Sequence, residues 1–141
     1  MHLQWEPDIE EISGNRVDRP MVGDPALVIA KLYDMLPADV GTTSDGRTAA
    51  ANAPVRTVFV IGPDKRIELT MSYTMTTGRN FAEILRTIDS MRLTATCRVA
   101  TPAWKRGEGV IVTSGVSNAE MEVMPGHRAM KPYLRMVDQP K

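Results

Sequence analysis

The chain has 141 residues, enough for one domain, and 43% of them are hydrophobic, a share typical of globular proteins. Its 17 lysines and arginines equal its 17 aspartates and glutamates in number, so charge does not favour binding to nucleic acid or to an anionic membrane. No apolar stretch reaches the roughly 18 residues needed to span a bilayer, and the N-terminal residues lack the basic and apolar regions of a signal peptide. A single cysteine cannot form an internal disulfide, and we therefore expect a cytoplasmic protein.

Two helices and a long loop are expected in the first part of the chain. Apolar residues at helical spacing predict a helix near the N-terminus, and Gly14-Asn15 should end it. Asp24-Pro25 predicts the start of a second helix, because aspartate is a good N-cap and proline loses no hydrogen bond at the first helical position. We expect Leu36-Pro37 to end this helix. Residues 38–54 are rich in glycine, threonine, serine and alanine, which predicts a surface loop.

A β-hairpin is predicted in the middle of the chain. Residues 55–61 form a nearly continuous apolar run, as expected for a strand that is covered on both faces. Residues 62–65, Gly-Pro-Asp-Lys, have the composition of a tight turn. Apolar and polar residues then alternate from Ile67 to Tyr73, a pattern typical of a half-exposed strand. The two strands are therefore expected to pair.

A third helix follows the hairpin. Asn80, with Glu83 three residues later, resembles a capping pair. The apolar residues beyond it recur at helical spacing and should line one face of a helix that ends near Arg92. These residues are Phe81, Ile84, Leu85, Ile88 and Met91.

Beyond Thr94 the sequence is more polar and is interrupted by proline and glycine. We expect a short strand at residues 110–112, a weak helix opened by Ser117 with Glu120, and an extended segment at residues 132–136. This tail contains few residues that could build a core of its own. It should therefore lie on the rest of the chain or on a neighbouring subunit.

Two arginines are the candidate site residues. Arg56 stands at the mouth of the predicted buried strand, where a guanidinium either forms a structural salt bridge or acts as a fixed cation for a thiolate or carboxylate. Arg79 lies in a loop before the third helix, where free backbone amides favour anions, or it is an ordinary loop arginine. The residues alone leave both alternatives open for each arginine.

Other residues with chemical potential are few. Cys97 is the only cysteine, and it is either a stray residue in a connecting segment or an unorthodox reactive thiol. His2 and His127 have no cysteine or histidine at ligand spacing, so we predict no metal site. No nucleotide-binding motif occurs, and no cofactor is predicted.

Taken together, these segments resemble the C-terminal part of the 1-Cys peroxiredoxins, and the similarity runs over nearly the whole chain. The similar segments include residues 2–5, Asp24-Pro25 with residues 31–36, residues 55–65, 76–85, 93–95 and 99–102, and residues 131–135. The resemblance implies an α/β fold, a partial thioredoxin-like fold made of a hairpin plus helices with a C-terminal peroxiredoxin extension. Residues 1–95 would form the C-terminal portion of the thioredoxin-like domain, and residues 96–141 the extension or dimerisation arm.

The resemblance also implies a function. In this family a peroxidatic cysteine thiolate attacks the O–O bond of a peroxide and becomes a sulfenic acid, which an external thiol reduces. By resemblance, Arg56 is the arginine that favours this thiolate and binds peroxide, and Arg79 is a second arginine of the same pocket. The implied partners are hydrogen peroxide or an organic hydroperoxide, an external thiol reductant and a second copy in a homo-oligomer.

One large part of the family pattern is missing. The peroxidatic motif, Pro-x-x-x-Thr-x-x-Cys, does not occur in the chain, and Cys97 lies outside any such setting. We therefore expect a truncated peroxiredoxin that is inactive alone and that exposes a sheet edge and apolar surface. The alternatives are a non-catalytic interaction module, pairing with itself or with a full-length peroxiredoxin, and an unorthodox thiol enzyme that uses Cys97.

Overall fold

The computed structural model describes residues 2–36, 39–48 and 56–141, so the predictions that fall on residues 37, 38 and 49–55 lie outside the described residues. The elements are α1 His2–Ser13, α2 Val28–Leu32, β1 Arg56–Ile61, β2 Ile67–Tyr73, α3 Phe81–Thr96, β3 Val99–Ala100, β4 Val110–Val112, α4 Asn118–Glu122, β5 Arg128–Lys131 and β6 Leu134–Val137. Two antiparallel sheets occur in the described part, one of two strands in the order β1-β2 and one of four in the order β3-β4-β6-β5.

The chain divides into two compact units. The first unit consists of Met1–Phe59 with Thr70–Thr77, and the second unit consists of Val60–Leu69 with Gly78–Lys141. These two units are defined by packing within the chain. The boundary predicted after residue 95 instead separates a thioredoxin-like portion from a C-terminal extension. The boundary after residue 95 therefore stays a prediction.

The first helix, α1, ends as predicted. Gly14 follows it with φ +68°, a left-handed conformation that glycine adopts without strain, and its amide donates to the carbonyl of Glu10 at 2.9 Å. The apolar side chains of this helix remain largely open to solvent, since Trp5 is 55% and Ile12 85% exposed. The predicted exposure of apolar surface is therefore present on α1.

The second helix is shorter than predicted at its start. Asp24 does cap it, because its carboxylate accepts hydrogen bonds from the amides of Ala30 at 2.8 Å and Val28 at 2.9 Å. These bonds, that of Ala30 first, hold the pKa of Asp24 below its ordinary value. The prediction that Pro25 is the first helical residue is wrong, because Leu27 adopts a left-handed conformation with φ 56° and the helix begins only after it.

The same helix also ends early. Asp34 has φ 53°, and its amide donates to Lys31 O at 3.0 Å while the amide of Met35 donates to Ala30 O at 2.8 Å. This pair of hydrogen bonds is the Schellman pattern, which satisfies the last carbonyls of a helix. The predicted end at Leu36-Pro37 is therefore wrong, since α2 ends at Leu32.

The predicted hairpin is confirmed in β1 and β2. Its turn is closed by hydrogen bonds from Gly62 N to Arg66 O and from Lys65 N to Gly62 O, both 2.9 Å. Burial of β1 on both faces is not observed, because its side chains are half-buried and Ile61 is 50% exposed. In the first unit, the ring of Phe59 on β1 packs at a tilt against Tyr33, with ring centroids 4.9 Å apart.

The prediction that the tail cannot build a core is wrong. The largest cluster of buried side chains lies in the second unit, and residues beyond Thr96 supply all its fully buried members. Sheet register explains this, because it brings isolated apolar residues together: Val99 lies opposite Val112, and Val110 opposite Val137. The cluster is formed by Val99, Trp104, Val110, Val112, Val116, Met121 and Val137, with Leu93, Cys97 and Met124 against it.

The remaining elements of the second unit follow the predictions in part. The strand at residues 110–112 and the helix opened by Ser117 are confirmed, the latter as a complete capping box with Glu120. The third helix, α3, extends to Thr96 and not only to Arg92. The predicted extended segment at residues 132–136 is a turn followed by β6, and β3 and β5 were not predicted.

Arg135 on β6 is the only buried charged side chain in the part of the chain that the structure describes, with 9% exposure. Its guanidinium donates to the carbonyls of Val116 at 2.7 Å and Thr113 at 3.0 Å, and to Oδ1 of Asn118 at 3.0 Å. A buried guanidinium is tolerated only when its donors are satisfied. Here neutral acceptors satisfy it and fix the segment before α4 onto the sheet.

We expect Arg135→Met to lower the free energy of unfolding by about 2 to 3 kcal/mol, because it removes charge-assisted hydrogen bonds and leaves buried acceptors unpaired. Urea denaturation measures the difference. The matched control is Lys131→Met on the neighbouring strand β5, where the side chain is exposed, with an expected change within about 0.5 kcal/mol. Equal effects of the two substitutions would contradict this account.

Glu120 makes the stability of the second unit depend on pH. Its pKa is lowered from 4.5 to about 2, first because Arg98 hydrogen-bonds its carboxylate and then because Ser117 does. A lowered pKa stabilises the fold fully above pH 4.5, and this contribution is lost as the pH falls towards 2. Glu120→Gln should therefore lower the unfolding temperature at pH 7 and have a much smaller effect at pH 2, whereas Glu122→Gln on the same helix should have little effect at either pH.

Candidate functional site

Arg56 is the first residue of β1 and belongs to the first unit. Its side chain is half-buried, and no hydrogen bond or ion pair to it occurs within the described residues. Beside it, the hydroxyl groups of Thr57 and Ser72 lie 3.1 Å apart and link β1 to β2. The structure thus places Arg56 at the mouth of a strand, as predicted, on a backbone fixed by strand pairing.

Arg79 lies in the second unit, exposed and directly before the N-cap of α3. Asn80 is that N-cap: its backbone is extended, with φ −87° and ψ 98°, and its Oδ1 accepts a hydrogen bond from the amide of Glu83 at 3.2 Å. The predicted capping pair is confirmed in this respect. Arg79 is therefore attached to a well-defined helix start.

The two candidate arginines belong to different compact units. Each is located within its own unit by the element that carries it. The pocket that Arg56 and Arg79 were predicted to line together stays a prediction.

A network that the sequence did not reveal braces the first turn of α3. Arg86 binds Glu83 by two parallel hydrogen bonds, Nε to Oε2 at 2.7 Å and Nη2 to Oε1 at 2.8 Å. Its Nη1 donates to the carbonyl of Trp104 at 3.1 Å. The hydrogen bonds from Arg86 lower the pKa of Glu83, and the same contact raises the pKa of Arg86. The spacing of Glu83 and Arg86, one helical turn apart, is the sequence signal that could have indicated this pair.

Two further contacts join α3 to the segment around Trp104. The hydroxyl groups of Ser90 and Thr101 are hydrogen-bonded, and Arg106 pairs with Asp89 at 3.3 Å. A groove of about 480 Å³ runs along this side of α3. The charged groups that border it are engaged mainly with one another, which favours a bracing role for this face.

Cys97 is the C-cap of α3 and is half-buried against the core of the second unit. Its Sγ lies 3.7 Å from the hydroxyl of Thr96. The adjacent Arg98 pairs with Glu120 at 2.7 Å. Cys97 thus packs against the edge of the core with part of its surface open, and its guanidinium neighbour is already bound to a carboxylate.

No group of three or more histidine, cysteine, aspartate or glutamate side chains in the described part of the chain is arranged to hold a metal ion. None of the helices described is long and apolar enough to cross a membrane.

No protein-family model matches the sequence. Individual proteins do. A 1-Cys peroxiredoxin of Dictyostelium discoideum is 36% identical over 142 residues, which cover 99% of this chain and 55% of that protein. Peroxiredoxin-6 of Mus musculus is 42% identical over 126 residues, covering 84% of this chain and 53% of that protein. Among solved structures, a peroxiredoxin 6 mutant of Arenicola marina has 39% identity and a TM-score of 0.81, covering 99% of this chain and 66% of that one.

The chain belongs to the 1-Cys peroxiredoxin family. It corresponds to the C-terminal part of a 1-Cys peroxiredoxin, and it spans about half the length of the curated relatives it matches. The predicted α/β, thioredoxin-like fold class is confirmed by the match to peroxiredoxin structures. A peroxidatic motif is absent from its 141 residues, and Cys97 is their only cysteine.

The helix start that carries Arg79 should depend on its cap. We expect Asn80→Ala to lower the free energy of unfolding by about 1 kcal/mol, because the amide of Glu83 loses its acceptor. Asn80→Asp keeps an acceptor and should stay within about 0.5 kcal/mol of the wild type. Urea denaturation of the three proteins measures this, and equal stabilities of the wild type and the alanine variant would show that the cap contributes nothing.

Proposed function

We propose that this chain supplies the C-terminal part of a thiol peroxidase that reduces hydrogen peroxide or organic hydroperoxides as an antioxidant. The observation that carries the proposal is the match to 1-Cys peroxiredoxins along nearly the whole chain, in sequence and in structure. A yeast mitochondrial 1-Cys peroxiredoxin, 38% identical with a TM-score of 0.80, uses glutathione/thioredoxin systems in its thiol-resolving mechanism. This supports an external thiol as the reductant here. A cytoplasmic location, expected from the sequence, is part of the same proposal.

In the proposed reaction, a cysteine thiolate attacks one oxygen of the peroxide. The S–O bond forms as the O–O bond breaks, and the other oxygen leaves as water or an alcohol after taking a proton. Two equivalents of external thiol then return the sulfenic acid to the thiol, with release of water and formation of a disulfide. Arg56 would stabilise the thiolate and the departing oxygen, since guanidinium groups donate strong hydrogen bonds to anionic oxygen and sulfur, and Arg79 would help to bind the peroxide.

The thiolate in this proposal comes from a segment that carries the motif Pro-x-x-x-Thr-x-x-Cys. Cys97 is not proposed for this role, because it caps a helix and packs against a core. The 141 residues alone should therefore be inactive, and Arg56 and Arg79 should act only when that segment is present.

A second candidate function is self-association or docking on a full-length peroxiredoxin without catalysis. The observation that favours it is the two-stranded sheet, which has unpaired edges within the described residues, together with exposed apolar side chains such as Phe81 and Leu85, 69% and 64% exposed. A homo-oligomer, most simply a dimer, is proposed on the same grounds.

Peroxide consumption tests these functions. The purified chain with dithiothreitol should not consume hydrogen peroxide above the rate of buffer and thiol alone, and Cys97→Ser should behave identically. Mixing with a separately produced N-terminal half of a 1-Cys peroxiredoxin should restore consumption, and Arg56→Met should lower the restored rate by about 10²-fold, the typical effect of losing one transition-state hydrogen-bond donor.

Three outcomes separate the alternatives. Consumption by the chain alone that Cys97→Ser abolishes would identify the unorthodox thiol enzyme. Tight binding to the N-terminal half or to a full-length peroxiredoxin without restored consumption would identify the interaction module. A restored rate that Arg56→Met leaves unchanged would contradict the role proposed for Arg56.

A further inference from the structure

We propose that Arg86 is a positioning residue for Arg79, which it holds through hydrogen bonds along the first turn of α3. The inference rests on the proposed function, because it concerns an arginine proposed for the peroxide pocket. Arg86 itself is not a candidate for contact with peroxide, since its three hydrogen-bonding nitrogens are engaged by Glu83 and Trp104.

The contact between Arg86 and Glu83 orients the Glu83 carboxylate. Both carboxylate oxygens of Glu83 accept hydrogen bonds from the guanidinium, at 2.7 and 2.8 Å. The Arg86 side chain is 27% and the Glu83 side chain 43% exposed, so the strength of the contact comes from its paired geometry and not from burial. Two parallel bonds fix the orientation of a carboxylate, whereas a single bond would leave it free to rotate.

Hydrogen bonds at the start of α3 connect Glu83 to Asn80, the residue after Arg79. The backbone amide of Glu83 donates to Oδ1 of Asn80, and the amide of Ile84 donates to the carbonyl of Asn80, both at 3.2 Å. These bonds hold Asn80 in its extended conformation at the helix start. Since Arg79 immediately precedes Asn80, the place from which its side chain projects is set by this turn.

Arg86 also anchors this turn to the core. Arg86 donates to the carbonyl of Trp104, whose side chain is only 3% exposed and whose indole N–H donates to Glu108 O at 3.0 Å. The first turn of a helix is normally its least stable part, because its amides lack partners within the helix. Through Arg86 this turn is attached to the most buried aromatic residue of the second unit.

Arginine is required for this arrangement. Nε, Nη1 and Nη2 each make a different bond, and the planar guanidinium presents them in a fixed geometry. A lysine carries one ammonium group and cannot form the paired contact with Glu83 and also reach Trp104 in the same geometry. Arg86→Lys should therefore behave much like Arg86→Met, although it keeps the charge.

Amide hydrogen exchange on the 141-residue chain tests the anchoring. In Arg86→Met and Arg86→Lys, the amides of Glu83 and Ile84 should exchange about tenfold faster, while those of β4 and β6 should keep their protection. Arg92→Met is the matched control, because Arg92 lies on the same helix with an exposed side chain. Unchanged exchange at Glu83 in the Arg86 variants would overturn the proposal.

Kinetics of the chain mixed with the N-terminal half of a 1-Cys peroxiredoxin test the consequence. Arg86→Met should raise the KM for hydrogen peroxide about tenfold with kcat within about twofold, because a displaced Arg79 binds peroxide less well. A fall in kcat at unchanged KM would indicate only fewer folded molecules and would overturn the positioning role. An inactive wild-type mixture would contradict the proposed function, and the exchange comparison would then decide on its own whether Arg86 fixes the turn.

Discussion

Trp104 connects the parts of the second unit, because its side chain packs in the core while its backbone carbonyl accepts a hydrogen bond from α3. The indole ring belongs to the buried cluster, and burial of so large an aromatic surface is among the strongest single contributions to folding. Its N–H needs a partner once buried and finds it in the carbonyl of Glu108, which closes the turn that follows. Its own carbonyl accepts from Arg86 on α3. One residue therefore joins a core, a turn and a helix.

Elements that depend on local chemistry could be predicted from the sequence. The glycine and proline of residues 62–65 indicate a turn wherever they occur between two apolar runs, and the hairpin follows from them. Asn80 and Ser117 act as caps through contacts with residues three positions away, so their roles are visible in a short window of sequence. These elements were correct in kind, although the end of α3 was placed too early.

The predictions that are wrong concern elements whose structure is decided by distant contacts or by unusual backbone conformations. Leu27 adopts a left-handed conformation that its residue type disfavours, and no local pattern signals it. The core of the tail consists of valines scattered among polar residues, which become neighbors only through strand register, as with Val99 and Val112. The roles proposed for Arg56 and Arg79 rest on a family resemblance. Local sequence places each arginine on its element, but the proposed site also needs a thiolate from the motif Pro-x-x-x-Thr-x-x-Cys, which does not occur in the 141 residues.

The burial of Arg135 has a consequence for how the tail responds to its surroundings. Its three acceptors are two backbone carbonyls and a side-chain amide, none of which gains or loses a proton in water at ordinary pH, and arginine retains its charge throughout that range. The interior network is therefore indifferent to acidity, whereas the carboxylates on the outside, Glu120 among them, are not. As the pH falls, the surface contacts of the second unit should weaken first, and the sheet around Arg135 should be the last part to unfold.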